Sequence, residues 1–264
     1  SPNNIGARCA KGMASWYVSQ DPDRLTHPLL RTNPKGEHGE FKQISWDEAF
    51  QFIADKLKYI ADEWGPEAVA LTCHHDPNTV FYHHLLKDLY GSPNMYAHTS
   101  GCEQDRRSAC LTLFGHVFPM HDFANSKYVM LWGMNNLGAN QGLWESRDLI
   151  EAQSKGCRLV VVDPNFTETA QKADEWVPIR PGTDGAMALA MCRVIIDEKL
   201  YDEEFVTKYC EGFNGFRDHL NEKGYTPAWA EEICGIEAET IARLAREFAT
   251  SKPAMSAIFK GSGY

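Results

Sequence analysis

Cys102 follows Ser100-Gly101 and heads a stretch carrying Glu103, Gln104, Asp105, Arg106 and Arg107. A cysteine at a helix N-terminus gains thiolate character from the unpaired N–H groups, which suits a metal ligand or a nucleophile. A lone cysteine is more often inert, so spacing alone leaves this position open. Cys9 sits in Gly6-Ala-Arg8-Cys9-Ala-Lys11-Gly12, a turn-rich segment rather than an apolar run. That separates it from Cys73 and Cys192, which read as small buried hydrophobes. The histidine pairs His74-His75 and His83-His84 suggest a metal, but adjacent residues point apart on a strand or helix, and packing or surface roles fit them better.

Three loops carry polar groups at the ends of apolar runs. Gly133-Met-Asn135-Asn136-Leu-Gly138-Ala-Asn140-Gln141 offers glycines that let a phosphate approach the backbone and amides that can read a base or ribose. It is neither GxGxxG nor a Walker loop, and an ordinary strand–helix connection explains it equally well. Asp163-Pro164-Asn165-Phe166-Thr167 places a carboxylate where ribose hydroxyls or guanine N–H donors are held in nucleotide folds, or where a helix is capped. Arg180-Pro181-Gly182-Thr183-Asp184-Gly185 opens an apolar helix, and its Thr and Asp suit a cap or a ligand.

The elements that must position these loops alternate. Residues 1–43, rich in Pro, Gly and Asn, read as a winding segment of turns. Ser45-Trp-Asp-Glu48 is a capping box, followed by apolar residues at helical spacing up to Gly65-Pro66. Short strands are predicted over 68–73, 94–98, 128–132, 158–162, 176–179 and 254–259, with helices over 80–90, 103–114, 143–155 and 185–199 and smaller ones over 202–250. The run Arg158-Leu-Val-Val-Val162 shows no polar alternation, as expected where both faces are covered. Pro178 favours a sheet edge. The alternation predicts an α/β fold with parallel sheets in three αβα layers, Rossmann-like.

Composition narrows the function. The chain has 264 residues, 43% hydrophobic and 23% charged, with 26 Lys+Arg against 36 Asp+Glu for a formal charge of −10. That balance disfavours a broad nucleic-acid surface, and no run approaches the ~18 apolar residues of a membrane span. The eight cysteines contain no CxxC, which suggests reduced thiols or cofactor ligands rather than a local zinc site or a disulfide framework. A nicotinamide dehydrogenase would carry GxGxxG after its first strand, and none is present.

Taken together, Gly6-Ala-Arg-Cys9-Ala-Lys11-Gly12, Asp21-Pro-Asp-Arg24-Leu, Pro28-Leu-Leu-Arg31, Ile44-Ser-Trp-Asp-Glu48-Ala, Tyr90-Gly-Ser-Pro93-Asn, Val162-Asp163-Pro164, Ala173-Asp174 and Pro181-Gly-Thr-Asp184 resemble the molybdopterin oxidoreductases of the dimethyl-sulfoxide reductase superfamily, in family order. The resemblance implies that Cys9 is the last of four cysteines holding a [4Fe–4S] cluster, that Lys11 lies on the electron path between cluster and pterin, and that Cys102 ligates molybdenum. It implies that the loops bearing Gly133, Asn135, Asn136 and Asn140, then Asp163, Pro164 and Thr167, then Pro181, Gly182 and Asp184, hold the guanosine-diphosphate ends of the two pterin cofactors of bis-molybdopterin guanine dinucleotide. It further implies that 1–43 is a remnant of the cluster domain, 44–97 the start of one α/β domain, 98–252 a second, cofactor-binding one, and 253–264 the return to the first, in a fragment of a longer subunit.

A cysteine ligand sets the chain apart from the serine- and aspartate-ligated branches. Glu103 after the ligand differs from the histidine of formate dehydrogenases. The Arg31-Thr-Asn-Pro-Lys35 stretch is similar to the polysulfide, thiosulfate and respiratory arsenate reductases. The expected activity is reduction of a sulfur oxyanion or polysulfide in anaerobic respiration, with arsenate reduction or a formate dehydrogenase-like reaction as alternatives, and an electron-transfer iron–sulfur subunit as the non-enzyme alternative. The expected partners are a small inorganic substrate, a ferredoxin-like electron-transfer subunit and a membrane anchor; by resemblance the location is the periplasmic side.

Overall fold

The computed structural model describes residues 9–74, 79–102, 104–117, 120–139 and 143–258. It divides into two compact units: Ala10–Cys102, and Ser1–Cys9 together with Glu103–Tyr264.

The first unit runs α1 (Ala10–Gln20), β1 (Leu29–Arg31), β2 (Phe41–Gln43), α2 (Trp46–Trp64), β3 (Leu71–Cys73), α3 (Thr79–His84), which continues as π-helix over Leu85–Tyr90, and β4 (Met95–Ala97). The capping box forms as the sequence predicts: the Glu48 N–H donates to Ser45 Oγ at 3.2 Å and the Ser45 N–H donates to Glu48 Oε2 at 2.7 Å. Gly65, at φ +85°, closes α2, and Gly91, at φ +95°, closes the π-helical turn by donating to the Leu86 carbonyl. β3 and β4 pair in parallel, Leu71 opposite Met95 and Cys73 opposite Ala97.

Residues 9–43 depart from the expected run of turns. Ala10–Gln20 is helical, and β1 and β2 form an antiparallel pair. Every residue of α1 is exposed, so no apolar stripe marked it in the sequence. The turn between β1 and β2 is tied by Arg31, whose guanidinium donates to the carbonyls of Asn33, Pro34 and Glu37.

The second unit contains α4 (Gln104–Phe114), β5 (Tyr128–Trp132), α5 (Asn136–Ala139), α6 (Leu143–Ser154), β6 (Arg158–Val162), β7 (Glu175–Val177), α7 (Asp184–Asp197), α8 (Glu203–Tyr209), α9 (Phe213–Lys223), α10 (Pro227–Cys234), α11 (Ala238–Thr250) and β8 (Ala254–Ile258). Its four strands are all parallel, in the order β7-β6-β5-β8. Pro178 ends the edge strand β7, the position its missing N–H favours.

Alternate residues of β5 and β6 enter two separate cores. Tyr128, Met130, Trp132, Val160 and Val162 pack with Met187, Met191 and Val194 of α7, Ala230 of α10 and Ile241 and Leu244 of α11. Val129, Leu131, Leu159 and Val161 pack on the other face with Phe123, Met134 and, from α6, Leu149 and Ala152. Each fully buried aliphatic side chain contributes about 1.5–3 kcal/mol. The three-layer αβα arrangement follows from this two-sided burial. Residues 254–258, assigned from the sequence to the return of the first α/β domain, pair instead with β5, Tyr128 opposite Ala254 and Trp132 opposite Ile258. A short apolar strand carries no signal of which sheet it joins. Among the described residues no helix is long and apolar enough to cross a membrane.

Candidate functional site

Walking out from β5, β7 is reached in one direction through β6, and β8 lies on the other side. The carboxyl ends of β5 and β8 therefore flank a topological switch point, where open α/β sheets leave a crevice for ligands. All three loops singled out in the sequence leave the sheet at this end.

Gly133, at φ +55°, turns the chain out of β5 while its N–H donates to the Val162 carbonyl. A side chain would strain there, so glycine suits the turn. The next two asparagines differ sharply. Asn135 is committed to the protein: its Oδ1 accepts from the N–H of Thr169 at 3.2 Å, from Thr169 Oγ1 at 2.8 Å and from the Gly138 N–H at 3.3 Å, and its Nδ2 donates to Glu168 Oε2 at 2.8 Å. That hydrogen bond holds the Glu168 carboxyl below its usual range. Thr169 Oγ1 also accepts from the Leu137 N–H. Asn135 thus staples the first loop to residues 168–169 rather than presenting a free amide. A Cβ at Gly138 would overlap the Asn135 amide and the Glu168 carboxylate.

Asn136 points the other way and is only 6% exposed. Its Nδ2 stands 3.5 Å from Glu145 Oε2, and among the described residues its Oδ1 has no hydrogen-bond partner. Glu145 in turn accepts from His121 Nδ1 at 2.9 Å, and the Ser146 hydroxyl donates to the Asn136 carbonyl at 2.8 Å. His121 stacks on Phe123. His121, Glu145, Glu168 and Thr169 were not singled out in the sequence; each meets its partner across 24 to 34 residues or lies on a helix face that reads as solvated.

Asp163 is 6% exposed at the end of β6. Its Oδ1 accepts from the Asn165 N–H at 2.8 Å, and the Trp176 indole donates to its carbonyl at 2.8 Å, so the turn over Pro164 is fixed. Thr167 Oγ1 accepts from the Ala170 N–H and caps the short turn that follows. Gly182, at φ +75°, follows Pro181 in the third loop, where the Thr183 hydroxyl donates to the Arg180 carbonyl at 2.6 Å. Burial lifts the Asp184 carboxyl above its usual range against a backbone N–H that favours the charged form, and the charge of Asp163 adds a smaller push upward. Two carboxylates facing one region repel phosphate and seek N–H or O–H donors. Asn140 lies outside the described residues.

In the first unit, Cys102 is part-buried after the turn His98–Gly101, two residues ahead of Gln104, where α4 begins. Cys9 is part-buried immediately before α1, and Lys11 is exposed on α1. The carboxyl ends of β3 and β4 line a cleft of about 430 Å³ with Thr72, Cys73, His74, Tyr96, Ala97 and His98. Adjacent histidines do point apart: His83 Nε2 meets Cys73 Sγ at 3.3 Å, while His84 Nδ1 meets Asp88 at 2.6 Å on the exposed side. His74 stacks on His98. Among the described residues no three His, Cys, Asp or Glu side chains converge to hold a metal by themselves.

Comparison with known proteins adds an independent line. The signature of the molybdopterin oxidoreductase family matches residues 24–261. The chain is 38% identical over 245 residues to the thiosulfate reductase molybdopterin-containing subunit of Salmonella typhimurium (strain LT2), covering 93% of this chain and 32% of that protein. It is 33% identical to the arsenate respiratory reductase molybdopterin-containing subunit of Chrysiogenes arsenatis, over 96% of this chain and 33% of that one. The solved structure of acetylene hydratase from Pelobacter acetylenicus superposes with a TM-score of 0.80 at 33% identity, over 99% of this chain and 35% of that one. The chain thus spans about a third of the length of these relatives.

Proposed function

The chain belongs to the molybdopterin oxidoreductase family, and on that premise we propose that it is part of a molybdenum-dependent oxidoreductase subunit that holds bis-molybdopterin guanine dinucleotide and reduces a sulfur oxyanion or polysulfide. The observation that carries the reading is the carboxyl end of the β5–β7 sheet, where the charge of Asp163 bears on the Asp184 carboxyl and Asn136 keeps an acceptor with no partner among the described residues. A guanosine diphosphate fits this set of acceptors. Its base and ribose offer N–H and O–H groups to carboxylates, and its phosphates suit backbone N–H groups beside glycines such as Gly133 and Gly182.

When bound, the metal supplies a two-electron couple and the [4Fe–4S] cluster accepts or delivers single electrons. The chain's own residues hold and orient. Asp163 and Asp184 fix the guanosine end, and Thr167, Pro164 and Pro181 shape the turns that present them. Asn135 keeps the Gly133–Gly138 loop in place, and Asn140 extends it. Cys102 would hold molybdenum through its thiolate, a soft ligand for such a metal. Cys9 would hold the cluster through its thiolate, and Lys11 would supply an ammonium on the electron path from cluster to pterin. In this reading 1–43 belongs to a cluster domain, 44–97 begins one α/β domain and 98–252 forms the second, on the periplasmic side, with a ferredoxin-like subunit and a membrane anchor as partners.

Thiosulfate or polysulfide is favoured because the relative at 38% identity is a thiosulfate reductase subunit, against 33% for the arsenate relative. The test uses the full-length protein. We expect molybdenum, iron and guanine nucleotide in the purified enzyme, and thiosulfate- or polysulfide-dependent oxidation of a reduced dye. Cys102→Ala should abolish turnover and leave iron unchanged; Cys9→Ala should remove the cluster signal in paramagnetic resonance. Enzyme without molybdenum refutes the reading, and arsenate-dependent turnover alone moves the substrate to the arsenate branch. Hydration of acetylene without an electron donor moves the activity out of the redox class.

A further inference from the structure

A buried polar atom without a partner is costly, and a native fold keeps one where something outside the protein satisfies it. Among the described residues Asn136 Oδ1 is such an atom, on a residue 94% buried, at the carboxyl end of the strand that flanks the switch point. Its direction is not accidental. An asparagine amide can flip, and its orientation is set by what stands on either side. Glu145 presents a carboxylate to one side, which accepts and cannot donate. Turning Oδ1 toward it would set oxygen against oxygen, so the amide keeps Nδ2 on the Glu145 side, at 3.5 Å. His121 fixes the carboxylate in turn: facing an acceptor, its Nδ1 carries the proton and donates at 2.9 Å, while Phe123 stacks on the ring. Glu145 and His121 are both shielded, with side chains 15% exposed.

We propose that His121 and Glu145 are positioning residues that lock the Asn136 amide so that its carbonyl oxygen accepts an N–H or O–H of the bound dinucleotide. This rests on the guanosine-cofactor reading above and adds to it one contact and two residues that act through another. Asn135, beside it, spends its oxygen on three donors within the protein, so the two asparagines divide the work: one holds the loop, the other reads the ligand.

The test measures cofactor retention and stability separately in full-length enzyme, with guanine nucleotide and molybdenum counted per protein after gel filtration, and melting temperature taken on protein expressed without the cofactor. Asn136→Leu should lower retention about tenfold, the loss of one hydrogen bond to a group then left unpaired. The melting temperature of the cofactor-free protein should hold or rise, because the substitution removes an unsatisfied polar atom. Glu145→Gln, which can present either an oxygen or an amide to Asn136, should lower retention in the same direction and by less. His121→Phe should behave like Glu145→Gln, and His121→Gln, which keeps a donor, should restore retention. Unchanged retention in Asn136→Leu overturns the proposal, as does a fall in retention matched by a fall in the melting temperature of the cofactor-free protein. Wild-type enzyme without guanine nucleotide overturns the cofactor reading itself, a separate and recognisable result.

Discussion

The two ends of the β5–β7 sheet are built to opposite rules. At the amino end two arginines and two glutamates answer one another. Arg158 reaches Glu175 at 2.6 Å and Glu247 at 3.2 Å, and Arg243 reaches Glu175 at 2.6 Å and Glu247 at 2.8 Å. The Tyr128 hydroxyl donates to Glu247 and closes the ring. Burial pushes the Tyr128 phenol up, with the Glu247 charge adding to it. Burial also opposes ionisation of Glu247, but Arg243 and Arg158 outweigh it and hold that carboxyl below its usual range. At the carboxyl end an acceptor stands without a partner among the described residues, a half-buried acid is raised by burial with a second acid's charge adding to it, and glycines take backbone conformations that side chains avoid. One end serves the fold alone. The other keeps a deficit that a ligand rich in donors removes, which is where pre-organised binding is expected.

Substitutions at the two ends should separate stability from binding. Glu175→Ala removes one of the two carboxylates that Arg158 and Arg243 share and should cost about 2 kcal/mol, less than a fully buried pair because both arginines are partly solvated and keep Glu247, with cofactor retention unchanged; urea unfolding of the full-length protein checks it. Gly138→Ala forces a Cβ into the Asn135–Glu168 staple and should cost about 1–2 kcal/mol and loosen the loop, read as lower stability together with lower retention. Asp163→Asn preserves the acceptor for the Asn165 N–H but removes the charge. It should lower guanine nucleotide retention about tenfold with little change in melting temperature.

The smallest effect is the pH response of Asp184. Its carboxyl is raised in the fold, so the native state binds the proton more tightly than the unfolded chain. The contribution is favourable below the ordinary carboxylate range and is lost as pH rises through the raised value. Cofactor-free protein should therefore gain a little stability on acidification from neutral pH through this group, and Asp184→Asn should flatten that part of the pH–stability curve. A steeper curve in the variant would contradict the crowding at this end.

The sequence made the sheet legible and the division of labour within it obscure. Tyr128–Trp132 and Arg158–Val162 could be read to the residue because unbroken apolar runs between turn signals have few alternatives. The Ser45–Glu48 box marked the start of α2 because a capping pair is local chemistry. Helix α1 was hidden because none of its residues is buried, and the place of Ala254–Ile258 was hidden because pairing over more than a hundred residues leaves no local trace. At the site, Asp163, Asp184 and the glycine loops stood out by position after strands. That Asn135 is a staple and Asn136 is not depends on which way two neighbours face, and on His121, Glu145 and Thr169, which only the folded chain brings near.

The apolar covering of both faces of β5 and β6 has a further effect. A half-buried strand is kept in line because sliding by one residue would turn greasy side chains to water; here such a slide would exchange one interior for the other and wet nothing. Alignment must then be indexed from the strand ends. The Arg158 clasp, the Leu159 N–H held by the Asp174 carboxylate, and the Arg158 N–H bound to the Lys127 carbonyl provide that index. The polar stitching at the base of the sheet is thus a gauge as well as a fastening, setting the depth at which each strand delivers its last residue to the rim.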